Sequence, residues 1–281
     1  MSDTSSPFVH LHQHTEYSLL DSTVRIPDLI KKAKGYGVPA VAITDHGNLF
    51  GGIEFYQQAT SAGLKPIIGC ETYMTPVTWE EESETLIRDE PYHFLLLAEN
   101  EEGYRNLLEL VSKAHLGDYY CKPRITRDSL AKNHKGLIAI TGCLQSELAA
   151  NLLKDRGDKA VEFVRFCKDL FGDRFYLEIQ NHGLAEQRKI NPLVAEIGRR
   201  HEIPLVATND VHYLEREHAR AHEILIRIQR NTYFDEAKGH RHGSDQFYFK
   251  SATEMQEALG EYPVAMEKTW REQTRLTEPV S

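Results

Sequence analysis

No stretch of this 281-residue chain approaches the roughly 18 consecutive apolar residues that a membrane helix needs, and its first residues lack the apolar core of a secretory signal. The four cysteines, Cys70, Cys121, Cys143 and Cys167, stand too far apart for a CxxC pair. That spacing excludes a zinc ribbon, a thioredoxin motif and a disulfide-stapled secreted scaffold, and it fits a reducing compartment. Positive charge is short as well: 33 Lys and Arg against 42 Asp and Glu leave a formal net charge of −9. Such a chain offers no general DNA-binding surface. If it acts on nucleic acid, the local positive charge has to come from metal ions or from regions outside this chain. The expectation is a cytosolic protein without membrane contact. At 41% hydrophobic and 27% charged residues the composition is that of a globular domain with one large core or two small ones.

What the chain has in excess is histidine, 14 residues in all. Three alternate at its start, in Val9-His10-Leu11-His12-Gln13-His14. An extended strand has a side-chain period of two, so the imidazoles would share one face while Val9 and Leu11 fill the other. A row of imidazoles is poor core packing and good metal ligation.

Short apolar runs alternate with amphipathic stretches along the rest of the chain. The runs cover residues 9–14, 40–44, 66–73, 93–98, 136–142, 174–180 and 204–209. Helical patterns cover 26–36, with Ser22 or Thr23 as cap and Pro27 in the first turn, then 50–62, 103–114, 145–154, 159–171 and 185–201. This alternation implies parallel βα units, and seven strands point to a closed or nearly closed barrel. One domain is expected over 1–281, with the barrel at about 7–214. Residues from about 215 onward read as a cover: a helix at 217–229, a polar loop at 231–245, a short strand at 246–250 and further helices. The Glu-rich stretch 75–91 reads as an irregular loop.

In a parallel barrel the carboxyl ends of the strands share one face, where sites are built. Polar residues lie at those ends: His12 and His14, Asp45 and His46, Glu71, Cys143, and Asp210 and His212. His93 opens its run instead of closing it. Either that strand runs the other way or its boundary differs. His-x-His and Asp-x-His each place two ligands on one strand face. Histidine and cysteine favour zinc or a similar ion, carboxylates also accept manganese or magnesium, and one such as Glu71 can bridge two cations, as phosphoryl chemistry uses.

Other histidines carry plainer readings. His218 and His222 are four apart on a helix, and His222-Glu223 opens like a zincin motif, but position 226 is Ile. His240 and His242 read as solvated; His115, His134 and His201 read as surface or cap residues. Cys70, Cys121 and Cys167 read as inert. His10 reads as packing below the site, and Asn181 and His182 as pocket-lining residues.

The stretches His12-Gln13-His14-Thr15, Thr44-Asp45-His46-Gly47-Asn48, Gly69-Cys70-Glu71 and Asn209-Asp210-Val211-His212 resemble the four motifs of the PHP (polymerase and histidinol phosphatase) family. Longer stretches, among them residues 43–56, 63–73 and 204–214, are similar to the PHP domains of bacterial DNA polymerase III alpha subunits. The resemblance implies a distorted seven-stranded (β/α)7 barrel holding up to three divalent ions, zinc, manganese or iron. Its implied ligands are His12, His14, Asp21, His46, Glu71, His93, Cys143, Asp210 and His212. Asp21 comes from the resemblance alone.

In that scheme Glu71 bridges two ions, His12, His14 and Asp210 complete one, and His93 and Cys143 the other. Asp21, His46 and His212 hold the third. Glu71, Asp210 and His14 are the implied catalytic residues, and Asp45 would orient a ligating histidine. The implied activity is metal-dependent 3′–5′ exonuclease action on DNA ends. A small-molecule phosphomonoesterase is one alternative, though Asp21 and Cys143 stand where such enzymes usually have histidine. A non-catalytic, metal-stabilised scaffold of a replicative polymerase is the other. Palm, fingers and thumb are missing, so this chain alone would not polymerise DNA. Its implied partners are a DNA 3′ end, weakly held, and the rest of an alpha subunit and its replisome.

Overall fold

The computed structural model describes residues 8–75, 90–117, 119–232 and 243–275. The first helix, α1 (Ile26–Gly35), shows why the apolar spacing works: Ile26, Leu29, Ile30 and Ala33 are buried on one face. Pro27 sits in its first turn, where a missing N–H costs nothing. The expected cap is not formed. Arg25 occupies that position without a side-chain bond. Ser22 lies too early and is taken up elsewhere, its Oγ 3.1 Å from His14 O and 3.0 Å from His212 O.

Strands and helices then alternate as β1 (Ala40–Ile43), α2 (Gly52–Ser61), β2 (Lys65–Met74), β3 (Tyr92–Ala98), α3 (Glu101–Leu116), β4 (Tyr119–Tyr120), β5 (Lys122–Ile125), α4 (Arg127–Lys132) and β6 (Leu137–Ile140). After these come α5 (Glu147–Leu153), α6 (Gly157–Phe171), β7 (Phe175–Ile179), α7 (Ala185–His201), β8 (Leu205–Ala207), α8 (Ala219–Gln229), α9 (Ala252–Leu259) and α10 (Pro263–Arg275). β1 pairs with β2, β6 with β7 and β7 with β8, all parallel, whereas β3 runs antiparallel to both β2 and β6. That reversal explains His93. Because β3 runs the other way, its first residues lie at the end of the barrel where its neighbours finish.

Residues 9–14 do not form the regular strand that their alternation predicts. Gln13 alone makes a parallel bridge, to Val211. The segment still closes the ring. Thr44 N donates to Gln13 O at 2.8 Å on one side, and His14 N donates to Val211 O at 2.8 Å on the other. With it the barrel has seven members, as expected of a distorted (β/α)7 fold. Alternation sorts the core. Leu95, Leu97, Ile138, Ile140 and Tyr176 point inward, while Phe94 and Leu96 pack outward among the helices.

The β4–β5 hairpin was not foreseen: it is too short to register as an apolar run. It lies beside the far end of β2, with Tyr73 opposite Arg124 and Met74 opposite Ile125. At the other end of the chain, residues 246–250 form a single bridge, Tyr213 to Tyr248, in place of a strand. The Thr269 hydroxyl on α10 bonds both Ala207 N and Ala207 O, tying this segment to β8. Most of the 75–91 loop, together with His240 and His242, falls outside the described residues. No helix among the described residues is long and apolar enough to cross a membrane.

Candidate metal centre

Gln13 spends its side chain on Ala42 O, and the alternation turns His12 and His14 the other way. His12 Nδ1 lies 2.8 Å from Glu178 Oε1. A carboxylate only accepts, so Nδ1 keeps its proton and Nε2 is the nitrogen that can shed its own and offer a lone pair to an ion. That Nε2 is 3.2 Å from both Glu71 Oε1 and Asp210 Oδ1. His14 is set the same way through one intermediary. Ser18 Oγ gives its single proton to Asp45 Oδ1 at 2.7 Å, so it accepts from His14 Nδ1 at 2.9 Å. His14 Nε2 then faces Glu71 Oε2 at 3.3 Å and Asp210 Oδ1 at 3.2 Å. His212 Nδ1 donates to Asp210 O at 2.8 Å, again leaving Nε2 free. Asp210 itself holds a left-handed backbone, φ 43°, which is costly for a non-glycine residue and typical of functional sites.

Glu71 is the hub. Its Oε1 is 3.0 Å from His93 Nδ1 and its Oε2 is 2.9 Å from His46 Nδ1. The outer nitrogen of His46 meets Asp21 Oδ2 at 2.9 Å, and Cys143 Sγ stands 3.7 Å from both Glu71 Oε1 and His93 Nδ1. All nine residues named from the sequence therefore meet at one place. Seven line a cavity of about 550 Å³; His12 and His14 are fully buried beneath it. The donor atoms fall into overlapping groups: His12, His14, Glu71 and Asp210; His46, Glu71 and His93; His14, His46 and His212; and Asp21, His212 and His222.

The residues fit cations. His12 Nε2, His14 Nε2, His46 Nδ1, Glu71 Oε2 and Asp210 Oδ1 are buried without a hydrogen-bond partner. Buried polar atoms are normally satisfied, and five orphans at one spot are satisfied together by divalent ions. Charge points the same way. Burial alone would lower the pKa of His12, but Asp210, Glu178 and Glu71 outweigh it and hold the imidazole well above its ordinary value. Burial pushes Glu71 up, yet His93, His12 and His46 hold it well below the usual carboxylate range. Burial, with Glu71 and Asp210 beside it, drives the Cys143 thiol well above its ordinary value. Without cations the cluster balances its carboxylates with protons.

Two expectations need correction, those for Asn181 and His222. Asn181 is not among the cavity-lining residues; its side chain bonds Ala258 O and Gly183 N. His182 does line the cavity, but both ring nitrogens are spent, on Gln187 Nε2 at 2.8 Å and Asn209 O at 3.0 Å. Asp45 reaches His14 only through Ser18. His10 packs below the site against Phe249 and bonds Lys250 O. His222, read as a plain helical histidine, places Nε2 2.8 Å from Asp21 O and lines the cavity.

Glu178 and Ser18 were also missed. Glu178 left a signal, a lone acid inside the apolar run 175–179. Ser18 left none. Asn209 is strapped to the C-terminal segment through Gln246 O, Tyr248 O and Lys250 Nζ, which steadies the adjoining Asp210.

The class that the fold and site define is a barrel with a buried His, Glu and Asp cluster able to hold metal ions at its open end. A family model of the PHP domain matches residues 10–182, and the chain belongs to that family. It is 46% identical over 257 residues to the DNA polymerase III subunit alpha of Thermus aquaticus, which covers 90% of this chain and 21% of that protein. The subunit alpha of Treponema pallidum is 42% identical over 265 residues, 94% of this chain and 23% of its own length. The chain thus spans about a fifth of the relatives it matches. Among solved structures, a two-domain protein from Bacteroides vulgatus containing a predicted PHP-like metal-dependent phosphoesterase is similar over 86% of this chain and 63% of its own. The TM-score is 0.39 and the identity 12%.

Proposed function

We propose that this chain is the PHP domain of a replicative DNA polymerase alpha subunit and hydrolyses the terminal phosphodiester at a DNA 3′ end. The observation that carries the reading is the set of orphaned ring nitrogens around Glu71 and Asp210. His12, His14, Asp210 and Glu71 would hold one ion, Glu71, His93 and Cys143 a second, and Asp21, His46 and His212 a third. Bound divalent ions lower the pKa of water and offset charge on phosphoryl oxygens.

The protein's own contribution is preorganisation. Glu178 and the Ser18–Asp45 pair keep the outer nitrogens of His12 and His14 protonated, so the inner lone pairs stay aimed at the cluster. The Phe247 ring, stacked on His182 at 3.9 Å, walls the cavity and keeps bulk water from that side. Manganese, zinc and iron all suit these donors. The partners would be the remainder of the alpha subunit and its replisome, in the cytoplasm.

One assay tests the reading. Metal-loaded protein is incubated with single-stranded DNA and, separately, with a phosphate monoester. Release of nucleoside monophosphates supports the proposal. Release of inorganic phosphate alone supports a phosphomonoesterase, and no product with either supports a scaffold. His14→Ala should abolish turnover, whereas activity surviving that change would point to a contaminating nuclease.

A further inference from the structure

The β4–β5 hairpin is not needed to close the barrel, yet it is pinned to the site. A Cβ on Gly47 would lie 2.8 Å from Pro123 Cγ, so the hairpin approaches the loop carrying His46 as closely as glycine permits. His115 Nε2 holds Gly47 O at 2.9 Å from the other side. What the hairpin presents is Lys122, the first residue of β5. Its Nζ stands 4.6 Å from the Tyr73 ring centroid, and that ring lies 5.2 Å from His93 and 5.8 Å from His46. Lys122 is thus one ring above the cluster. Among the described residues, Lys122 and Arg230, just beyond α8, are the lysine and arginine that line the cavity. On a chain of net charge −9 this is a local device and not part of a basic surface. The Glu90 carboxylate lies 3.5 Å from Lys122 Nζ but is 87% exposed. Such a solvated pair is weak and yields to a stronger anion.

We propose that Lys122 grips the phosphate adjoining the scissile one, so that the cavity selects a strand with at least two phosphates over a phosphate monoester. The proposal rests on reading the cluster as a phosphoesterase centre and deepens it by naming the residue that fixes substrate class. A lysine acts here as a mobile point charge, suited to a backbone phosphate without regard to base.

The test is binding, which does not require turnover. The full chain loaded with Mn²⁺ is titrated into fluorescein-labelled (dT)10 carrying phosphorothioate linkages, and thymidine 5′-monophosphate is measured by competition. Lys122→Gln should weaken (dT)10 binding about tenfold and lower the dependence on log salt by about one. It should leave the mononucleotide within about twofold of wild type, and Lys122→Arg should restore the difference. Lys122→Met, which keeps the aliphatic stem on Tyr73, repeats the test if the glutamine variant melts early. Equal losses for both ligands, unchanged (dT)10 affinity, or no oligonucleotide binding by the wild type would each overturn the proposal. Lys122-dependent binding by a protein that releases no nucleotide from the unmodified oligonucleotide would instead sink the phosphoesterase reading and leave the strand grip standing.

Discussion

Glu178 Oε1 lies 2.8 Å from His12 Nδ1, with both side chains fully shielded from solvent. The carboxylate also accepts from Gln180 Nε2 at 3.1 Å and from Thr208 Oγ1, so it is fixed before any ion arrives. A carboxylate behind a ligating histidine sets the tautomer and raises the basicity of the inner nitrogen. Glu178→Gln keeps the shape and removes the charge. Metal affinity, measured by chelator competition, should fall about 10- to 100-fold while the circular dichroism spectrum is retained. Unchanged affinity would mean that Glu178 only fills space.

Ser18 stands between Asp45 and two neighbours, accepting from His14 Nδ1 at 2.9 Å and from His46 N at 3.1 Å. Ser18→Ala leaves those donors facing a methyl group in a buried site. Each unsatisfied buried group costs about 1–3 kcal/mol. Urea denaturation of the metal-free variant should show a loss of at least that size, with a weaker hold on metal as well. A variant as stable as wild type would remove Ser18 from the account.

Metal and protons should compete. His12 and His46 are held above their ordinary value in the metal-free protein, burial being outweighed by Asp210 and Glu178 in one case and by Tyr73 and Glu71 in the other. Ions need the unprotonated nitrogens. Metal binding should therefore release protons at neutral pH, and affinity should rise with pH. Calorimetry in buffers of different ionisation enthalpy counts them. For the metal-free fold the sign is opposite. These histidines add stability that is present below pH 6.5 and is lost as pH rises through their raised values. A titration releasing no protons would contradict the charge balance described here.

His182 behaves the other way. Burial, partly offset by Asp210 and by the bond to Asn209, lowers it from 6.5 to about 4. Between those values the unfolded chain binds a proton that the native state refuses, so stability falls as pH drops through the window. His182→Gln should flatten that part of the stability curve by up to about 3 kcal/mol. Parallel curves for the two proteins would show that His182 is not a buried neutral group.

Much of the centre was legible because strand ends write their function locally. His12 with His14, and Asp210 with His212, stand two apart, a spacing that marked them as ligand pairs although neither segment is a regular strand. The reversal of β3 left only an oddity, His93 at the wrong end of its run, because strand direction is set by pairing with β2 and β6 and not by local composition. Glu178 showed only as a lone acid in an apolar run, which marks burial and not the histidine it faces. His222 was hidden because its partner, Asp21, lies 201 residues away, and nothing in helical periodicity marks a contact with a distant turn. The capping role given to Ser22 failed for a similar reason. Backbone carbonyls of His14 and His212, brought in by the closing ring, compete for its hydroxyl and win.

The most direct test is anomalous diffraction from crystals grown with manganese or zinc, recorded on both sides of the metal's absorption edge. The account predicts a peak ringed by His12, His14, Glu71 and Asp210, with further peaks sharing Glu71 or touching Asp21, His46 and His212. Well-ordered crystals that hold metal elsewhere, with no anomalous density beside Glu71, would contradict it.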